Sequence, residues 1–159
     1  MSISPHLALY QPDIPQNAGA ILRLAACMGV GLSVIEPAGF VWSEPKMRRA
    51  GLDYIAKAHL SHHPDWAHFT QAMGTRRLLL FTTKGATPYA DFAYRPDDVL
   101  LFGSESAGVP DWVHAAVDAR LVIPMRPGLR SLNVAQSAAM ALGEALRQTG
   151  GFPVAPEAD

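Results

Sequence analysis

The sequence predicts an α/β domain built on a mostly parallel sheet flanked by helices, and three observations lead there. Short apolar runs alternate along the chain with segments whose apolar residues recur at helical spacing. Glycine and proline punctuate the boundaries between them. With 159 residues, 49% of them hydrophobic, the chain is long enough to bury one core without disulfides or metals.

The first element is the apolar run His6 to Tyr10, ended by Pro12 and Pro15. Ile21, Leu22, Ala25, Ala26 and Met28 then repeat at helical spacing, so the chain opens as strand, loop, helix. Gly29-Val30-Gly31 breaks that helix and leads into Leu32 to Ile35, a parallel neighbour of the first strand ended by Glu36-Pro37. A polar stretch, Ser43 to Asp53, carries Lys46, Arg48 and Arg49. The cluster His59, His62, His63 and His68 reads as a polar linker, because its spacing matches no strong ligand pattern and no metal is expected there. A helix over Asp65 to Met73 follows. Leu78 to Thr83, Val99 to Phe102 and Leu121 to Ile123 are further strands, each running into a loop. Pro110 opens a helix holding Trp112 and Val113. The last helix, Asn133 to Thr149, places Val134, Ala138, Leu142, Ala145 and Leu146 on one face. Its alanines suit close packing on a sheet or against a twin helix, or simply favour the helix. One domain spans 1–159, with 152–159 as a flexible tail.

Charge narrows the function classes. The 13 basic and 14 acidic side chains leave a net charge of -1, which argues against broad polyanion binding. The single cysteine, Cys27, forms no internal disulfide, and a reducing compartment is expected. No apolar run reaches the length of a membrane span, and the start Met-Ser-Ile-Ser-Pro-His lacks signal-peptide features. The expectation is a cytoplasmic protein that does not enter membranes.

In parallel sheets ligands bind beyond the carboxyl ends of the strands, so the loops after the apolar runs carry the functional reading. The first is Pro15-Gln16-Asn17-Ala18-Gly19-Ala20-Ile21-Leu22-Arg23, where Asn17 suits a helix N-cap and Arg23 interrupts an apolar stretch. The second is Phe102-Gly103-Ser104-Glu105-Ser106-Ala107-Gly108-Val109-Pro110, whose glycines permit a tight turn or close approach of a ligand. The third, Pro124 to Asn133, runs into the last helix, with Ser131 or Asn133 as its cap. Familiar signatures fail. Gly29-Val30-Gly31 precedes its strand and lacks a third glycine, no Walker loop is present, and Ser106 lacks a glycine two residues earlier and a histidine in the order a hydrolase triad needs.

Together the three loops resemble the SPOUT superfamily of trefoil-knotted RNA methyltransferases, in its ribose 2′-O branch. The resemblance rests on Asn17-Ala18-Gly19 with Arg23, on Phe102 to Pro110, and on Ile123-Pro124-Met125 followed by Arg130-Ser131-Leu132-Asn133. Leu9 to Pro15, Ile35-Glu36-Pro37, Arg48 to Tyr54 and Thr82-Thr83-Lys84-Gly85 are similar to its tRNA (cytidine(34)-2′-O)-methyltransferase subgroup. The likeness runs from Leu7 to Gly151, and Gly143 stands where family members can carry an aromatic residue.

The resemblance implies a homodimer whose C-terminal third forms a trefoil knot, a topology that spacing arguments could not reveal. It implies S-adenosylmethionine as methyl donor, no metal, and a cofactor pocket lined by Phe81, Gly103, Ile123 and Ser131, with Met125, Leu132 and Asn133 beside them. The substrate implied is the wobble nucleotide in the anticodon arm of leucine tRNAs. Asn17, Arg23 and Glu105 form the expected catalytic set. Arg23 would stabilise the developing oxyanion or orient the adjacent phosphate, since a guanidinium hardly loses its proton, and Glu105 is the alternative proton acceptor. RNA contacts are expected from Lys46, Arg48 and Arg49 and from Arg126 with Arg130. Another tRNA or rRNA position, or a non-catalytic knotted RNA-binding protein, are the competing readings.

Overall fold

The computed structural model describes residues 3–42, 58–129 and 131–154. Lys46, Arg48, Arg49 and Arg130, the stretch Arg48 to Tyr54 and the end of the expected tail, 155–159, lie outside the described residues. The described strands are β1 (His6–Tyr10), β2 (Gly31–Ile35), β3 (His59–His63), β4 (Leu78–Phe81), β5 (Thr87–Pro88), β6 (Val99–Phe102) and β7 (Ala119–Val122). They form one sheet in the order β3-β2-β1-β6-β4-β7-β5, with every pairing parallel. The helices are α1 (Pro15–Met28), α2 (Trp66–Met73), α3 (Asp111–Ala116) and α4 (Val134–Thr149).

The central strands are the most apolar because helices cover both their faces. β4 and β6, Leu-Leu-Leu-Phe and Val-Leu-Leu-Phe, are buried at every residue. Leu7, Leu9, Leu79, Leu100 and Phe102 face one layer with α1 and α4, while Ala8, Tyr10, Leu80, Val99 and Leu101 face the other with α2 and α3. Helix α1 starts on Pro15 and stops where Gly29 takes a left-handed φ of 68°, the glycine C-cap that relieves the Cβ penalty. The alanine stripe of α4 stays within the chain: Ala138, Ala141 and Ala145 are buried in the layer shared with α1.

Three details depart from the sequence reading. The histidine-rich segment expected as a linker is strand β3, held in register by β2 from Gly31↔His59 to Ile35↔His63. Asn17 does not cap α1; Ile14 holds that position, and Asn17 lies in the helix's first turn with its side chain turned to other partners. β4 ends at Phe81 rather than Thr83, and β7 runs from Ala119 to Val122.

The placement of β7 shapes one end of the sheet. It lies between β4 and β5, which are consecutive in sequence, so the 82–86 link must cross it. The crossing is tight: a Cβ on Gly85 would stand 2.6 Å from the Leu121 carbonyl carbon. Thr82 N–H donates to Leu121 O at 2.9 Å, closing the link onto the strand.

Two polar groupings brace the sheet away from this link. Ser33, fully buried on β2, meets His6 Nε2 at 2.7 Å and His63 Nε2 at 3.0 Å, joining three adjacent strands. Burial, with smaller contributions from Arg76 and His63, lowers the His6 pKa to about 4. Asp98, also fully buried, accepts from Arg77 Nε at 2.8 Å and Nη2 at 2.7 Å, and from the Arg95 N–H at 2.7 Å. This bidentate pairing ties the approach to β6 to the start of β4.

Candidate active site

The strand order reverses between β1 and β6, whose successors lie on opposite sides of the sheet, and such a switch point opens a crevice at the carboxyl ends. A cavity of about 450 Å³ opens beyond the carboxyl ends of β4, β6 and β7. Its floor includes Phe81 and Phe102, whose rings stack with centroids 5.1 Å apart at 16°.

The 103–110 loop forms one wall and explains its glycines. Ser104 N–H donates to Gly108 O at 2.9 Å and Gly108 N–H donates to Ser104 O at 2.8 Å, which pinches the loop shut. A Cβ on Gly103 would lie 2.7 Å from the Gly108 carbonyl carbon, so only glycine permits that approach. Gly108 itself has a φ of 65°, a left-handed conformation that glycine adopts without a Cβ penalty.

A chain of side-chain hydrogen bonds joins the three loops. The Asn17 amide donates to Glu105 Oε1 at 3.4 Å, and its Oδ1 accepts from Asn133 Nδ2 at 2.9 Å. Asn133 Oδ1 in turn caps α4 by accepting from the Ala135 N–H at 2.8 Å and the Gln136 N–H at 3.3 Å. The N-cap role expected for Asn133 or Ser131 therefore falls to Asn133. Glu105 also accepts from the Asp13 N–H at 3.0 Å, and the Ser106 hydroxyl donates to Asp13 Oδ2. Burial and the neighbouring Asp13 carboxyl raise the Glu105 pKa; the side-chain contact with Glu105 lowers that of Asp13, and the Ser106 hydroxyl lowers it further.

The structure brings Asn17, Phe81, Gly103, Glu105, Ile123, Met125, Ser131, Leu132 and Asn133 to the lining of this one cavity. Arg23 and Arg126 are not in that lining: Arg23 is exposed on α1 and Arg126 on the loop after β7. Thr82, Val109 and Ser137 line the cavity without having been singled out, although Thr82 and Val109 lie on loops that follow strand ends. Asp13 was missed as well; its signal is a carboxylate one helical turn ahead of Asn17 at the mouth of α1.

The fold and these motifs have known counterparts. Residues 4–143 match the SpoU rRNA Methylase family. A protein of Beijerinckia indica known as tRNA (cytidine(34)-2′-O)-methyltransferase is 60% identical over 146 residues, 91% of each chain. Its namesake in Escherichia coli K12 is 40% identical over 147 residues, 91% of this chain and 94% of that one. A solved structure described as giving insight into 2-OH methylation of C/U34 on tRNA matches with a TM-score of 0.87 and 44% identity, covering 91% of this chain and 95% of its own. The SpoU methyltransferase AviRb of Streptomyces viridochromogenes, in complex with its cofactor AdoMet, matches with a TM-score of 0.80 and 28% identity, over 93% of this chain and 58% of that one.

Proposed function

The chain belongs to the SpoU rRNA methylase family, and from that premise we propose that it methylates the ribose 2′-oxygen of nucleotide 34 in tRNA. The methyl donor in this reading is S-adenosylmethionine. The substrate is cytidine or a modified uridine at the wobble position, with leucine tRNAs as the preferred isoacceptors. The observation that carries the proposal is the hydrogen-bonded chain Glu105–Asn17–Asn133, which fixes three loops distant in sequence around one cavity.

The residues present fit the donor. A cavity of about 450 Å³ falls within the size of small-molecule sites, and the walls combine aromatic and aliphatic side chains with a few polar groups. Phe81, Gly103, Ile123, Met125, Ser131, Leu132 and Asn133 would hold it. When bound, it supplies an electrophilic methyl on a positive sulfur, so the protein's contribution is orientation and handling of one proton. Gly103 lets the wall come close, and the Asn17 and Asn133 amides fix the loop positions. Glu105, oriented by Asn17, is the acceptor for the proton that leaves the ribose hydroxyl. Arg23 stabilises negative charge on the reacting oxygen or orients the adjacent phosphate. Because it lies outside the lining of its own chain's cavity, Arg23 has to reach the ribose held there from outside that lining, in its own chain or from a twin subunit.

A homodimer suits the exposed apolar rim. Ile14 and Leu132 line the cavity yet remain 40% and 37% exposed, and Met140 is 42% exposed on α4. A second copy would cover such groups and double the RNA-binding cations Lys46, Arg48, Arg49, Arg126 and Arg130. The trefoil knot and a cytoplasmic location belong to the same reading. Among the described residues no helix is long and apolar enough to cross a membrane.

The test is to incubate the protein with labelled S-adenosylmethionine and tRNA lacking the modification, then map the labelled nucleotide. Label on the 2′-oxygen of position 34 of leucine tRNAs is the expected result. Label elsewhere would reassign the substrate, and donor binding without transfer would point to a non-catalytic RNA-binding role.

A further inference from the structure

Asp13 precedes α1, outside the cavity lining, and meets Glu105 twice. Its N–H donates to Glu105 Oε2 at 3.0 Å, and the two carboxyls are also in side-chain contact. Ser106 donates to Asp13 Oδ2, which leaves Oδ1 buried with no hydrogen-bond partner among the described residues. Two ionised carboxylates in contact are acceptors only and repel each other. A proton between them turns that repulsion into a hydrogen bond and gives the orphaned acceptor a donor.

We propose that Asp13 is a positioning residue for Glu105, the two carboxyls sharing one proton that resides on Glu105 while Asp13 keeps the charge. The surroundings set this order. Ser106 stabilises the charged form of Asp13, whereas the Glu105 pKa is raised by burial first and by Asp13 second. Among the described residues, the side chains that hydrogen-bond the pair are Ser106 from the Glu105 loop and Asn17 from α1, with Asn133 at the head of α4 joined through Asn17. Asn17 and Asn133 carry no charge, so the titration of the pair belongs to Asp13 and Glu105 together.

For turnover the consequence rests on the methyl-transfer reading above. Glu105 must be ionised to take the ribose hydroxyl proton, forming its own O–H bond in the process. The Asp13 charge raises the basicity of Glu105 toward the working pH, which makes it a better acceptor at the cost of an acid limb in the rate.

The pair is read first without activity, by carboxyl-carbon NMR of the intact protein labelled at glutamate, with Glu105→Gln assigning the resonance. The expected midpoint of Glu105 lies above the ordinary glutamate range and falls by about one pH unit in Asp13→Asn. Ser106→Ala, which leaves both carboxyls in place but withdraws the hydrogen bond that favours ionised Asp13, moves it the opposite way by less. In methyl transfer the acid limb of kcat shifts with the NMR midpoint in Asp13→Asn, while affinity for S-adenosylmethionine stays within about twofold because Asp13 does not line the cavity. A Glu105 midpoint at the ordinary value, or one unmoved by both Asp13→Asn and Ser106→Ala, overturns the proposal. If no tRNA is methylated, the functional reading fails while the titration still decides the pair.

Discussion

Two of the polar networks in this chain are closed to different degrees, one within the sheet and one beyond the ends of its strands. His6, Ser33 and His63 lie on three adjacent strands, and the buried hydroxyl between the imidazoles is met on both sides. Asn17 in the first turn of α1, Glu105 in the 103–110 loop and Asn133 at the head of α4 lie up to 116 residues apart, and all three face a cavity. The first network completes itself within the sheet and serves the fold. The second spends its hydrogen bonds on holding loops apart around a space that something else must fill. Burial of polar groups alone therefore does not mark a site; polar groups held beside an opening do.

If that division holds, damage to the loop network should cost chemistry far more than stability. Asn17→Ala removes the amide between Glu105 and Asn133, and methyl transfer measured in single turnover is expected to fall by about 100-fold or more. Turnover near the parent's would make the network a brace like the other one. Gly103→Ala comes next: a Cβ 2.7 Å from the Gly108 carbonyl carbon forces the wall to move, and S-adenosylmethionine affinity by calorimetry should weaken by at least about tenfold.

The sheet network should show the opposite pattern. His6 is lowered from 6.5 to about 4, so the unfolded chain takes up its proton first. Its contribution is complete above pH 6.5 and lost as the pH falls toward about 4, on the order of 3 kcal/mol at most. Denaturant midpoints followed across that window should decline, and His6→Gln should flatten the decline while leaving methyl transfer at neutral pH unchanged. The smallest effect is expected from Gly31→Ala. Its Cβ would meet His6 Nδ1 at 2.5 Å, a ring that has to shift, at about 1–2 kcal/mol of stability and with unaltered kinetics.

The two networks also differ in how far the sequence announces them. Asn17, Glu105 and Asn133 sit in loops that follow apolar runs, amid glycines and prolines, and those local signals are readable in one dimension. β6 and α4 were legible for the same reason, since buried parallel strands and amphipathic helices each have a period. His59–His63 was not: one leucine among three histidines and a serine has no strand signal, and only pairing with β2 makes it a strand. Asn17 looked like a cap because its side chain suits one, yet Pro15 starts the helix two residues earlier and frees the amide for Glu105. Asp13 stayed hidden because its partner is 92 residues away. β5, two residues long, has no pattern to read.

The insertion of β7 between β4 and β5 has a consequence for the order of assembly. On a growing chain β4, the 82–86 link and β5 exist before the strand that separates them, so the sheet cannot close in sequence order. β7 pairs with β4 only after that link has been made, β5 gains its strand partner when β7 arrives, and α4 then brings Asn133 to its place beside Asn17. Long-range pairings of this kind form slowly. The cavity is consequently among the last features to appear during folding, and a chain halted before α4 would hold much of the sheet and no complete site.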